Sequence, residues 1–171
     1  MSGSYSSSFN QNLDGSGLTI GVVTALFNDD VTSKLEAGAL RALKEAGVEP
    51  SKIINIQVPG AFEVPVAVKA LFEFQKVDAV VALGAVIRGE TTHYDYVCQA
   101  VERGCSQAAL EYVKPVGFGV VTTENLEQAL DRADGRHGNK GTEAAQVVIK
   151  MCNLMKALQK NWFEVDALKQ V

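Results

Sequence analysis

The chain has 171 residues, 47% hydrophobic and 21% charged, with a formal net charge of -4. That length suits one domain with a substantial core, and the composition is ordinary for a soluble globular protein. There is no basic run to attract nucleic acid, and no apolar run approaches the roughly 18 to 20 residues needed to cross a bilayer.

Residues 1–16 read as a polar, Ser-rich, flexible arm without the charged start and apolar centre of a secretory signal. Such arms can pair with a neighbouring sheet. Leu18 to Ala25 is a β-rich run that Phe27-Asn28-Asp29-Asp30 stops. Val31, Leu35, Ala39, Ala42, Leu43 and Ala46 follow at helical spacing, and Gly47 closes that helix. A second strand, Ile53 to Val58, ends at Pro59-Gly60, and Pro65 fits the first turn of a helix running to about Phe74. Val77 to Ile87 is apolar almost throughout, as a strand buried on both faces should be.

A polar loop then begins the next helix, where Thr92 and Asp95 have capping-box spacing. Val97, Val101, Cys105, Ala108 and Tyr112 stripe this helix. Val116 to Val121 is the fourth strand, Thr122-Thr123-Glu124 a cap, and Leu126 to Ala133 a short helix. A Gly-rich turn, Asp134 to Gly141, leads to a last helix reaching about Leu158. Strand and helix alternate four times, which predicts a parallel sheet with helices on both faces, a single domain over residues 17–158 and a tail over 159–171.

The last helix carries two apolar stripes, Ala145, Val148, Cys152, Met155 and Val147, Met151, Leu154, Leu158. Together they exceed the arc that a surface helix needs for its own core, so a subunit contact and a deep core position both explain them. The cysteines, Cys98, Cys105 and Cys152, are odd in number and read as small buried thiols of a reducing cytoplasm.

Ligands of open α/β sheets bind beyond the carboxyl ends of the strands. That rule gathers Phe27, the Gly60-Ala61-Phe62-Glu63 turn, the loop Arg88 to His93, and Phe118 to Thr123 on one rim. Each has a plainer reading: the three Phe as core, Glu63 as a complement to a helix dipole, His93 as a solvated first-turn residue. Agreement among four strand ends favours a site. Helix N-termini suit anions, and a histidine in the first turn adds a proton donor or acceptor. Arg132, Arg136 and Lys140 crowd a Gly-rich loop that is either an anion clamp or a solvated connector. There is no P-loop, dinucleotide fingerprint, metal-ligand spacing around His93 or His137, or nucleophile elbow, so cofactor-free and metal-free proton transfer and anion binding is the expectation.

Pro59 through Pro65, Gly84 through Val97, Phe118 through Thr123, Glu127 through Arg132, and Gly138-Asn139-Lys140-Gly141 together closely resemble lumazine synthase, over about residues 18 to 158. The resemblance implies an α/β fold, three-layer αβα, with a flavodoxin-like four-stranded parallel sheet that the N-terminal arm can extend. It implies a transferase that condenses 5-amino-6-(D-ribitylamino)uracil with 3,4-dihydroxy-2-butanone 4-phosphate to 6,7-dimethyl-8-ribityllumazine, the penultimate step of riboflavin biosynthesis. In that scheme Phe27 and Phe118 stack on the pyrimidine, and Ala61, Phe62 and Glu63 hold the ribityl chain. Ala85, Val86 and Ile87 line the heterocycle pocket. Gly89, Glu90 and Thr91 meet the phosphate with help from Arg132, His93 is the general acid/base, and Lys140 adds positive charge. Phe118, Arg132 and Lys140 would serve the adjacent subunit of a homopentamer. The short connector from Asp134 to Asn139 favours pentamers closed into an icosahedral shell, while the tail with Trp162-Phe163 departs from many relatives. Riboflavin synthase is a candidate protein partner. The rivals are an archaeal-type riboflavin synthase and a non-catalytic lumazine- or flavin-binding shell protein.

Overall fold

A computed structural model describes the backbone of residues 12–168 and the side chains of residues 12–160. The expected flexible arm, apart from residues 12–16, and the Trp162-Phe163 side chains lie outside the described residues.

Four strands form one parallel sheet: β1 (Ile20–Ala25), β2 (Ile53–Val58), β3 (Ala79–Ile87) and β4 (Val116–Thr123). Their spatial order is β2-β1-β3-β4, with Ile20 in register with Ile53 on one side and Ala79 on the other. The helices are α1 (Asp29–Glu45), α2 (Val64–Ala70), α3 (His93–Tyr112), α4 (Leu126–Asp131) and α5 (Lys140–Leu168). Because side chains alternate along a strand, β3 feeds two cores. Ala79, Val81, Leu83 and Ala85 pack with α1 and α5 side chains such as Leu35 and Val148. Val80, Ala82 and Val86 pack with Val64 and Val68 of α2 and Val101 and Cys105 of α3. The fold is therefore the expected three-layer αβα, flavodoxin-like arrangement.

The chain leaves β1 towards β2, then crosses back to place β3 on the other side of β1. Connections diverge at the carboxyl ends of β1 and β3, which opens a crevice there.

Several local readings need correction. Thr92 precedes α3 but makes no side-chain cap bond: the Asp95 N–H donates to the Thr92 carbonyl at 3.0 Å, and the Asp95 carboxylate turns to Arg88 in place of the reciprocal bond. Thr122 and Thr123 complete β4, and the cap of α4 is Asn125, whose side chain accepts from the Gln128 backbone N–H at 2.9 Å. The Gly-rich turn is a small antiparallel hairpin, β5 (Ala133–Gly135) with β6 (Gly138–Asn139). The last helix does not stop near Leu158, since its backbone stays helical to Leu168. Gly47 closes α1 as expected, at φ 85°, with its N–H on the Lys44 carbonyl. On α5, Ala145, Val148 and Cys152 are buried, while Val147, Met151 and Leu158 of the second stripe are exposed. Cys105 and Cys152 are buried as expected, whereas Cys98 is only half-buried.

Candidate functional site

A cavity of about 630 Å³ occupies the crevice. That volume lies within the range of small-molecule sites. Three strand ends and one helix build it. Beyond β1, the Leu26 N–H donates to Val58 O at 2.8 Å and the Phe27 N–H to Pro59 O at 3.1 Å, so β1 keeps pairing towards β2 after its last strand residue. Asn28 adopts the left-handed conformation (φ 62°, ψ 49°) that Asn tolerates better than most residues, and its Nδ2 donates to Ala85 O at 2.8 Å. The short segment is thus tied to both neighbouring strands, and the Phe27 ring stands 71% exposed at the cavity edge.

Beyond β2, Gly60 leads into a single 3-10 turn, Ala61–Glu63. A Cβ at Gly60 would lie 3.2 Å from Glu63 Oε2, so glycine leaves room for the carboxylate. Phe62 is 63% exposed. Ala85, Val86 and Ile87 from the end of β3 line the wall, followed by Gly89 and Thr91, and His93, Tyr94 and Val97 of α3 complete it. The His93 N–H faces Thr91 Oγ1 at 3.4 Å, and residues Gly89 to His93 are exposed. Burial pushes the Tyr94 hydroxyl above the usual phenol range, with a hydrogen bond to Thr122 opposing it.

Phe27, Ala61, Phe62, Glu63, Ala85, Val86, Ile87, Gly89, Thr91 and His93 therefore converge on one cavity. Glu90 sits on the same loop but does not line it. Phe118, Arg132 and Lys140 also lie outside it. Phe118 is not at a strand end, as the rim argument had it. It pairs with Ala82, five positions before Thr123, or roughly 16 Å back along the strand. β4 is the sheet edge beyond β3, so its end is offset from the β1–β3 crevice. The Arg132 guanidinium donates to Gln128 O at 2.9 Å, and Lys140 Nζ lies 2.7 Å from Glu143 Oε2. In the same hairpin Arg136 pairs with Asp131 at 2.7 Å and holds that carboxyl below the usual range.

Much of the Gly138-Asn139-Lys140-Gly141 motif serves the fold. Asn139 is buried, donates to Lys34 O and Ala133 O, and accepts from the Thr142 N–H. A Cβ at Gly141 would collide with the Leu35 carbonyl, so glycine lets α5 cross α1 closely.

The wall is mostly apolar. Among the described residues its only acidic member is Glu63, and none is Lys or Arg. Asn28, Tyr94 and Val97 line the cavity without having been assigned to it from the sequence, while Gly60 was placed on the rim only as part of its turn. Asn28 could have been found, since an Asn between a strand and a helix is suited to a left-handed turn. The exposure of Phe27 and Phe62 overturns their plainer reading as core residues. Among the described residues no group of three His, Cys, Asp or Glu could hold a metal ion, and no helix is long and apolar enough to cross a membrane.

Residues 17–156 match a family model described as 6,7-dimethyl-8-ribityllumazine synthase.

Proposed function

The chain belongs to the 6,7-dimethyl-8-ribityllumazine synthase family, a transferase family that makes lumazine for riboflavin biosynthesis, and from that premise we propose how this cavity works. It condenses 5-amino-6-(D-ribitylamino)uracil with 3,4-dihydroxy-2-butanone 4-phosphate, giving 6,7-dimethyl-8-ribityllumazine, phosphate and water. The observation that carries this reading is the cavity itself: an apolar wall edged by exposed aromatic rings, with His93 and the start of α3 opening into it.

Phe27 stacks on the pyrimidine, and Ala85, Val86 and Ile87 form the wall beside it. Ala61, Phe62 and Glu63 hold the ribityl chain, with the Glu63 carboxylate accepting from its hydroxyls. The substrate brings its own amine, so formation of the Schiff base needs no enzyme lysine. Gly89, Glu90 and Thr91 present backbone N–H groups to the phosphate ahead of the helix dipole. His93, in the first turn of α3, moves protons during Schiff-base formation and phosphate elimination. Holding two substrates in reactive geometry is the largest single contribution.

Among the described residues, one chain's wall offers a departing phosphate no Lys or Arg. This supports the reading that Arg132 and Lys140 of an adjacent copy, with its Phe118, complete the site in a homo-oligomer. The exposed Val147, Met151 and Leu158 of α5 are surfaces for such assembly. Sedimentation of the purified protein tests the shell, and a pentamer-sized species as the only form would sink it. Mixing both substrates tests the chemistry: the lumazine chromophore and free phosphate should appear together. Riboflavin formed from the lumazine alone would favour the rival synthase, and binding without turnover the non-catalytic one.

A further inference from the structure

Arg88 follows the last residue of β3 and does not line the cavity. Yet its side chain touches two segments around the Gly89–Thr91 loop, the β4–α4 connection and the first turn of α3. Its Nε lies 2.9 Å from Glu124 Oε2, in the connection between β4 and α4. Its Nη2 lies 3.1 Å from Asp95 Oδ1, in the first turn of α3. The guanidinium carbon stands 4.1 Å from the centroid of Tyr94, a ring that does line the cavity. Its backbone N–H adds a bond of 2.9 Å to Thr123 O. The two carboxylates, Asp95 foremost, hold the guanidinium more firmly protonated than usual.

The loop has little else to shape it. Gly89 has nothing within 4 Å of where a Cβ would be, and residues 89 to 93 are exposed. Among the described residues, the hydrogen bonds local to this turn are the long one from His93 N–H to Thr91 Oγ1 and one of 3.0 Å from Asp95 N–H to Thr92 O. With both carboxylates engaged, Arg88 has little positive charge to offer a substrate. A planar fork that bonds two acceptors in different directions while its face lies on a ring is something arginine can do and lysine cannot.

We infer that Arg88 is a positioning residue: it bridges β3, the start of α3 and the β4–α4 connection, and thereby holds both the Gly89–Thr91 loop and the Tyr94 wall in binding geometry. The inference rests on the lumazine-forming reading of the cavity. Its effect should fall on one substrate, since the loop faces the phosphate while the pyrimidine is held by Phe27 and the end of β3.

Steady-state kinetics of Arg88→Ala and Arg88→Lys, varying each substrate in turn, test this. The expected result is a rise in KM for the phosphorylated substrate of roughly tenfold to a hundredfold, the scale on which small misplacements act. KM for the pyrimidine and the melting temperature should stay near those of the unaltered protein, and Arg88→Lys should not rescue. Unchanged kinetics, equal rises in both KM values, or full rescue by lysine would each overturn the inference. If Arg88→Ala fails to fold, Asp95→Asn combined with Glu124→Gln replaces it, and an unchanged KM for the phosphorylated substrate in that variant is equally decisive. Unaltered protein that forms no lumazine sinks the function reading alone. Titration with inorganic phosphate then reads the loop directly, with a similar weakening expected in Arg88→Ala and equal affinity refuting it.

Discussion

Phe27 and Phe72 are the same residue type in opposite situations, and replacing each by alanine separates a site ring from a core ring. Phe27 is 71% exposed, so less than a third of its surface is removed from water. Fully burying a Phe side chain is worth about 1.5–3 kcal/mol, so Phe27→Ala should cost no more than about 1 kcal/mol of stability. For a chain of this size that is a fall in Tm of about 2–4 °C, at fixed protein concentration. Phe72 is 1% exposed and its ring centre lies 5.3 Å from that of Tyr112. Phe72→Ala leaves a cavity and should cost about 3–5 kcal/mol. Activity should reverse the order. A stacking contact is worth about 0.5–1.5 kcal/mol, so Phe27→Ala should raise KM for the ribitylaminouracil about two- to thirteen-fold. Thermal melting and the lumazine absorbance assay read both quantities from the same samples. If Phe27→Ala melts as low as Phe72→Ala, or its KM is that of the unaltered protein, the assignment of Phe27 as a site ring is wrong.

His93→Ala should slow turnover by about 10²- to 10⁴-fold without abolishing it, because proximity survives the loss of the proton carrier, and a rate equal to that of the unaltered enzyme removes His93 from the mechanism. Arg132→Ala should chiefly raise KM for the phosphorylated substrate, and an unchanged KM counts against the clamp. Asn28→Ala loses the bond to Ala85 O and strains a left-handed backbone, about 1 kcal/mol each, so chemical denaturation should show a loss of about 2 kcal/mol. Burial pushes the Cys105 thiol from 9.0 to about 12. Its neutral form is favoured in the folded state, so this contribution is intact below pH 9 and is lost as pH rises from 9 towards 12. The slope should approach about 1.4 kcal/mol per pH unit, and Cys105→Ala should flatten that alkaline fall in stability.

The order of elements could be read from the chain because hydrophobic period is a local property. A run from Val77 to Ile87 that is apolar apart from Asp78 fits a strand covered on both faces, and Gly47 marks a helix end through its own backbone freedom. The motifs likewise pointed to Phe27, the Ala61–Glu63 turn, the end of β3 and His93, which share one cavity. Local spacing failed where side chains had competing partners. Thr92 and Asp95 stand three apart as a capping box does, but a carboxylate beside a guanidinium is bound by charge, and Asp95 goes to Arg88. Sequence also could not tell which glycines and amides of the Gly138–Gly141 motif were structural. That depended on α5 crossing α1 over Gly141, a contact between residues more than a hundred positions apart.

By itself, then, the sequence determined the αβα alternation, the family and the residues at three strand ends, since periodicity, turn chemistry and motifs are all written in neighbouring residues. Only the tertiary structure decided that Phe27 and Phe62 are exposed rings, that Asn28 and Tyr94 belong to the cavity, and that Phe118, Arg132 and Lys140 stand away from it within their own chain. The reason is geometric. The order β2-β1-β3-β4 puts the crevice between β1 and β3 and leaves β4 at the edge, and strand order is set by packing across the whole sheet.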